Sequence, residues 1–547
     1  MSSSAHIDTF ARDHLPPAEE QPEFQFDRPE LTFPAQMNCA TELLDRWVSQ
    51  GEGGRLCVQD ATTRWTYADL QARANRIAHV LVEDMGLVPG NRVLLRGANS
   101  SELAACWFAV VKAGGIAVAT MPLLRAKELT DIVSKARISH ALCDARLADE
   151  LVLARRPCPT LAQVRYYHSA GGRDDLDTDT LHKPEDFANV PTAAEDTCLI
   201  AFTSGTTGKP KATVHFHRDV MAACACWPRH MLCATRDDVF IGSPPIAFTF
   251  GLGGLLLFPL SIGASTVFLE KATPDALVAA VGRYRATVCF TAPTAYRAMA
   301  PLVKDHDLSS LCKCVSAAEA LPAATRKLWK DATGIEIIDG IGTTELLHIF
   351  ISHTDRNAKP GATGKPVPGY TACVVDGNLQ PLPTGHVGRL AVKGPTGCRY
   401  LADDRQRDYV KNGWNLTGDV YLVDDDGWFV YQARTDDMIV SSGYNIAGPE
   451  VESALLSHPA VAECAVIGVA DDERGQIVKA FVVVRPEYQA GPTMAEELKA
   501  FVKRCIAPYK YPRAIEFRDA LPRTGTGKVQ RFRLRAESAH TPDNTKS

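Results

Sequence analysis

Short apolar runs, each followed by small or charged residues, recur along most of the chain. RVLLRGAN (residues 92–99) reads as a buried strand that leads into the helix-periodic SELAACWFAVVKAG, and HALCDARL begins as another strand. CLIAFTS, STVFLE, ATVCFTAPT, KCVSAAEAL and IEIIDGIGTTE repeat the scheme, each placing an apolar run before a small-residue loop. Strand, loop and helix in that order predict parallel α/β layers. In such sheets the loops beyond the carboxyl ends of the strands usually hold ligands. Between residues 374 and 430 the rhythm changes. VVDGNLQPLPTGHVGRLAVKG and WFVYQAR set Gly, Pro and Asp turns between short strands, which predicts a small β subdomain. After Arg434, strands and helices alternate again through IAGPEVESALLSHPAVAECAVIGV, KAFVVVRP and AEELKAFVKRC, as in a small α+β lid.

At 547 residues the chain is too long for one ordinary core, so two or more domains are expected. The reading is an N-terminal arm over 1–35, wrapped on the surface or partly disordered, and a large layered α/β domain with its β subdomain over 36–435. A mobile α+β lid over 436–537 and a disordered tail over 538–547 complete it. With 46% hydrophobic and 22% charged residues the composition is that of a soluble globular protein. A net charge of −5 implies neither a nucleic-acid surface nor a basic membrane face. The most apolar stretch, 251–263, is short, rich in glycine and interrupted by Pro259, so it does not span a bilayer. The N-terminus lacks the basic start and apolar run of a secretory signal, and a cytoplasmic location is expected. The 16 cysteines include no C-x-x-C pair, which reads as small buried hydrophobes in a reducing compartment, with no zinc site expected.

The densest chemical segment is Thr203, Ser204, Gly205, Thr206, Thr207, Gly208, Lys209, Pro210, Lys211. Glycines let a backbone approach closely, N–H groups and hydroxyls donate hydrogen bonds, and lysines add charge, which together suit a loop over phosphates. The alternative is a polar surface turn. It is not a Walker loop, because Pro210 follows Lys209 where that pattern needs Ser or Thr.

TSGTTGKPK resembles the phosphate-loop signature of the acyl-adenylate-forming superfamily, which includes acyl-CoA synthetases, luciferases and peptide-synthetase adenylation domains. Further matches follow in the same order across nearly the whole chain. Asp339-Gly340-Ile341-Gly342-Thr343-Thr344-Glu345 resembles the family's G-x-T-E loop. There Thr344 would contact the α-phosphate and Glu345 would help hold magnesium, a cation that takes hard oxygen ligands. Ala318-Glu319-Ala320 matches the stretch that lies against the adenine. Asp419, in Leu416-Thr417-Gly418-Asp419, matches the aspartate that accepts both ribose hydroxyls. Arg434-Thr435-Asp436-Asp437 resembles the hinge, with Arg434 on the nucleotide and Asp436 as pivot. Gly443 would then lie on the lid loop that lines a pantetheine tunnel. Lys528, in PRTGTGK, matches the lysine that bridges the substrate carboxylate and the α-phosphate. Two departures stand out: Val440 replaces the family's usual lysine after the hinge, and Ala212 replaces the usual glycine after Lys211.

FTFGLGG and GIGTTELLHIF are similar to benzoate-CoA ligases, and the wider region resembles 2-aminobenzoate-CoA ligases more closely. By that resemblance Thr249, Phe250, Gly251, Gly342, His348 and Ile349 surround an aryl carboxylate. Phe250 offers a flat apolar wall and Thr249 a hydroxyl for an ortho-amino group. The implied co-substrates are ATP and coenzyme A with Mg2+, and the implied partner is a small aromatic acid, with no nucleic acid and no membrane. A homodimer remains open. So do three rival readings: a stand-alone enzyme that loads a separate carrier protein, a luciferase-like oxygenase, and a non-catalytic nucleotide-binding protein of the same fold. A fused carrier domain is not expected, because only a short polar segment follows Lys528.

Overall fold

The computed structural model describes residues 4–169, 171–172, 174–203, 210–441, 444–471, 474–524 and 528–540. Among these residues the strands form four sheets, of nine, six, five and five strands. The six-stranded sheet runs, edge to edge, Gln163–Tyr167, His140–Asp144, Arg92–Arg96, Ile116–Thr120, Thr197–Thr203 and Lys211–Phe216. All neighbours but the last pair are parallel. Arg92–Arg96 is buried at every position, as a strand covered on both faces must be. The helix Ser101–Lys112 covers it and is itself buried throughout. Ser100 caps that helix by accepting the Leu103 N–H at 3.1 Å, and the buried Lys112 is paired with Asp45.

The nine-stranded sheet has a parallel heart of Ser265–Val267, Val239–Gly242, Val288–Thr291, Lys313–Ser316 and Ile337–Gly342. Two of the strand–loop segments do not go on into helices as the sequence pattern implies. The segment after Thr203 returns as the antiparallel strand Lys211–Phe216, with Thr203 opposite Lys211. Likewise Ile337–Gly342 turns back into Ile349–Ser352, with Gly342 opposite Ile349. The returning stretches carry Thr213, Val214 and Phe216 in one case and Ile349, Phe350 and Ile351 in the other, all good strand formers. Ala212 lies inside the first of these strands, opposite Phe202, and is not among the residues of positive φ. Extended backbone there has no need of glycine.

Thr371–Val375, Gly388–Lys393, Val410–Lys411, Trp414–Val423 and Phe429–Arg434 form the antiparallel β subdomain. The last sheet takes Ile439–Ser441, Tyr444–Ile446, Val461–Asp471, Gly475–Val484 and Ala514–Phe517. With the helices Gly448–Leu456 and Pro492–Cys505 it encloses its own small core around Val451, Leu455, Val466, Val482 and Leu498. The final helix spans Arg531–His540 and so enters the segment read as tail; Arg531, Leu534 and Arg535 anchor it through an ion pair with Glu452, burial at 0% exposure and an ion pair with Asp437.

The N-terminal arm is fastened rather than loose where it is described. Leu31 is 1% exposed within the main core, and Phe24 forms a bridge to Gly394 while its ring covers Arg399. All the cysteines are free, and most are buried. Cys39, Cys198 and His217 gather within 4.8 Å of one another, a grouping invisible to chain spacing. His217 Nδ1 accepts the Cys39 backbone N–H at 3.1 Å, so that ring atom already has a partner. Among the described residues no helix is long and apolar enough to cross a membrane.

Candidate functional site

The strands that follow these two turns bring Lys211 and the Glu345 segment together through Tyr400. Lys211, at the start of its strand, lies 3.3 Å from the Tyr400 hydroxyl, with its ammonium over the Tyr400 ring. Tyr400 in turn donates its hydroxyl to Glu345 Oε1. Glu345 is only 7% exposed. Burial and the Glu345 charge push the Tyr400 phenol far above its ordinary value, so it remains a donor at any working pH. Thr343 Oγ1 lies 3.2 Å from the Tyr409 hydroxyl. From below, His215 Nε2 is 2.8 Å from the Thr344 carbonyl. Burial holds the His215 imidazole down to about 4, so the ring is neutral at pH 7 and donates Nε2–H to that carbonyl.

Asp419 and Arg434 face each other on adjacent strands and pair at 3.0 Å, and Arg434 also donates to the Thr417 carbonyl at 3.1 Å. Gly418 between them has φ of 77°, and a Cβ there would meet an Arg434 nitrogen at 2.9 Å. Glycine is therefore required both by conformation and by space. Ala318 has φ of 75°, an unusual conformation for alanine. Its neighbour Glu319 has its carboxyl pushed up by burial and is opposed by the positive charges of Arg523, Lys528 and Arg531, all from the lid.

Lys528 reaches solvent, yet protein surrounds it on enough sides to hold its ammonium below the ordinary lysine value. It stands in the field of Glu319, Asp419 and Glu345, which attract it, and of Arg434, which repels it. The lid thus delivers a cation to the point where the Glu345 and Asp419 segments meet. Arg523, 3.7 Å from Glu319 and 2.7 Å from Glu463, ties the same turn to the large domain.

Beside this polar centre stands an aromatic wall. Thr249 opens the short helix Thr249–Leu252 and is 8% exposed. Its hydroxyl has no hydrogen-bond partner among the described residues. Phe250 is half-buried and packs near Phe290 and His348 at centroid distances of 5.8 and 5.7 Å. The His348 ring lies edge-on to Phe258 at 4.4 Å, and burial pushes it down to about 3, so it is a neutral part of the wall. Gly342 lets the chain pass close to the His348 carbonyl, which a Cβ would meet at 2.6 Å. Gly251 and Ile349 are buried behind this surface.

Residues 44–400 match the family model of the AMP-binding enzyme, and residues 450–528 match that of the AMP-binding enzyme C-terminal domain. The chain belongs to the AMP-binding enzyme family. Benzoate–CoA ligase of Thauera aromatica is 35% identical over 515 residues, covering 93% of this chain and 97% of the relative. The solved structure of an anthranilate CoA ligase in complex with anthranoyl-AMP is similar with a TM-score of 0.89 at 34% identity, covering 93% of this chain and 99% of that one. A benzoate CoA ligase from Burkholderia xenovorans follows at TM-score 0.83 and 32% identity, covering 91% and 100% of the two chains.

For this AMP-binding enzyme, the structure brings Thr203, Lys211, Thr344, Glu345, Asp419, Arg434 and Lys528 toward one centre. Ser204, Gly205, Thr206, Thr207, Gly208, Lys209 and Gly443 lie outside the described residues. Asp436 falls on the turn Thr435–Asp437 directly after the last strand of the β subdomain. Tyr400, Tyr409 and His215 are the site residues that motif reading missed. Only His215 left a trace: Lys211, Thr213 and His215 alternate along one strand and so share a face.

Asp339 is buried beneath the same loop, and burial pushes its carboxyl up to about 7. The fold thus prefers its protonated form. The stability this gives is full below the ordinary carboxylate range and is lost as pH rises through 7. Asp339→Asn should therefore stabilise the protein at pH 8 by roughly 2–4 kcal/mol more than at pH 5, read by urea unfolding at both values. An equal effect at the two pH values would show that the buried carboxyl does not ionise on that scale.

Proposed function

We propose that this enzyme is an AMP-forming acid–CoA ligase whose substrate is a small aromatic carboxylate, 2-aminobenzoate or benzoate. The observation that carries the reading is that Lys528 stands in the field of Glu345 and Asp419, while the Glu345 segment runs on within three residues to His348, which packs on Phe250. In the first half-reaction the acid's carboxylate oxygen attacks the α-phosphorus of ATP. An acyl–phosphate bond forms and pyrophosphate leaves. Positioning and charge neutralisation supply most of the rate. Lys528 bridges the two reacting groups, Asp419 accepts the ribose hydroxyls, Arg434 holds Asp419 in place, and Thr344 donates to the α-phosphate. The phosphates lie against Thr203 to Lys211, and the adenine against Ala318, Glu319, Ala320 and the backbone of Asp339 and Gly340. In the second half-reaction the thiol of CoA attacks the acyl carbon, its proton is lost, and AMP departs. The lid, from residue 436 onward, turns about Asp436 between the halves, withdrawing Lys528 and bringing the Gly443 loop toward the thiol.

The donor set suits magnesium. Glu345 offers a hard carboxylate whose Oε1 is held by Tyr400, and its other oxygen has no partner among the described residues. Bound there, the ion would neutralise phosphate charge.

The test is CoA-dependent AMP release, with ATP and magnesium, over benzoate, 2-aminobenzoate, 4-hydroxybenzoate, a cinnamate, hexanoate and acetate. Turnover concentrated on benzoate and 2-aminobenzoate is the outcome this reading requires. Turnover with the aliphatic acids alone would discard the aryl pocket and keep the ligase. Pyrophosphate exchange without CoA turnover would mark a carrier protein as the acceptor. Run on Thr249→Ala, the same panel should lower the preference for 2-aminobenzoate over benzoate by roughly 3–10-fold. An unchanged preference would remove Thr249 as the contact for the amino group.

A further inference from the structure

Arg297 stands near the end of the helix Pro293–Met299 in the large domain, and its guanidinium crosses into the lid. Nε donates to the Ala462 carbonyl at 3.1 Å, and one Nη donates to the carbonyls of Leu456 at 3.1 Å and Val461 at 2.9 Å. Leu456 is the last residue of the lid helix Gly448–Leu456. The final carbonyls of a helix have no partner inside it and carry the negative end of its dipole. The backbone N–H groups just beyond that helix serve Ala454 and Leu455 but not Leu456. A cation from another domain therefore supplies the missing cap.

Arg297 makes no ion pair among the described residues, and all its bonds there end on lid carbonyls. Burial lowers its pKa, Arg485 opposes it, and Glu463 favours it only from a distance. A half-buried guanidinium without a carboxylate partner is held by geometry, and this geometry exists only while the lid keeps its present orientation. Just downstream in the same lid segment, Glu463 pairs with Arg523, which also faces Glu319. The start of the lid strand Val461–Asp471 is thus clamped to the large domain from two sides in the orientation that brings Lys528 to the site.

We infer that Arg297 is a positioning residue that selects the lid orientation for acyl-adenylate formation and takes no part in thioester formation. The inference rests on the ligase reading for its two half-reactions, but the clamp itself is testable without it. Any lid rotation must break all three bonds and return Arg297 and the Leu456 carbonyl to water. Removing the side chain shifts the balance between orientations and leaves the reacting groups unchanged.

The decisive measurement separates the half-reactions. In Arg297→Ala, pyrophosphate exchange with the aromatic acid should fall about 10–100-fold, while thioester formation from supplied acyl-AMP and CoA stays within about twofold or rises. Arg297→Lys, which keeps the charge but loses the fork that spans three carbonyls, should fall between wild type and alanine. It serves as the test if the alanine variant does not fold. Equal loss in both halves, or loss in neither, would overturn the assignment. A second readout does not depend on activity. Cys312 in the large domain and Cys505 in the lid are exposed. With Cys233→Ser and Cys373→Ser in the background, spin labels on this pair should report one distance population in the parent and an added second one in Arg297→Ala. Identical distributions would overturn the clamp. A parent protein that forms neither adenylate nor thioester would instead overturn the ligase reading and leave the distance result to decide the clamp.

Discussion

Replacing Lys528 by alanine should lower acyl-adenylate formation by about 10²–10³-fold, the loss typical of removing one preorganised charge-stabilising donor. Thioester formation from supplied acyl-AMP should change far less. The asymmetry follows from what the lysine faces. Its ammonium lies in the field of Glu319, Asp419 and Glu345, the groups proposed to frame ATP, and the protein around it lowers its affinity for a proton. In the first half-reaction negative charge gathers at that point as the carboxylate and the α-phosphate are joined. Once pyrophosphate has gone, the proposed lid rotation withdraws the ammonium, so the oxyanion and the departing AMP of the second half-reaction are stabilised by other groups. Pyrophosphate exchange and single-turnover thioester formation, measured on the same preparation, read the two effects. Comparable losses in both would show that the role of Lys528 is not specific to adenylation, and no loss in either would place it outside that step.

The second large effect concerns stability. Arg399 and Asp219 are both at 0% exposure and pair at 2.7 Å. Phe24 and Phe216 sandwich the guanidinium at 4.1 and 4.0 Å from their ring centroids. Asp219 also accepts the Phe216 backbone N–H at 2.9 Å at the start of the helix His217–Trp227. Two buried charges gain little net stability when paired, but either one alone is expensive to keep. Arg399→Met should destabilise the large domain by about 3–5 kcal/mol, because Asp219 loses its buried cationic partner. Adding Asp219→Asn to that variant should recover much of the loss. Urea unfolding of the single and double variants decides the matter. A double variant no better than the single one would mean that packing of the Arg399 side chain, and not its charge, carries the effect.

The strand runs, the β subdomain and the lid were legible because period and turn chemistry are local properties of sequence. The motif segments could be singled out because their residue types are chemically unusual together, and the described ones, Lys211, Glu345, Asp419, Arg434 and Lys528, come near one another. What stayed hidden depends on partners far apart in the chain. Tyr400 reaches Glu345 across 55 positions, His215 reaches Thr344 across 129, and Arg399 reaches Asp219 across 180. Nothing in the surroundings of any one of them names the other. The anchors of the arm stayed hidden for a different reason. Its polar composition masks Phe24 and Leu31, and a few apolar anchors suffice to dock a segment that is otherwise solvated. The hairpins after Thr203 and Gly342 look like strand–loop–helix units until the returning strand is paired.

Those two hairpins have a consequence for how such an enzyme changes over time. In each, the returning strand lies toward the margin of a mostly parallel sheet and runs antiparallel to the strand before it. Side chains on these returning strands can change one at a time while the central strands keep their pairing. Ala212 sits at such a seam, on the strand side, where extended backbone accepts any side chain small enough to pack. Along the Ile349 margin, beside the aromatic wall, such changes can alter which acid fits without passing through an unfolded ancestor.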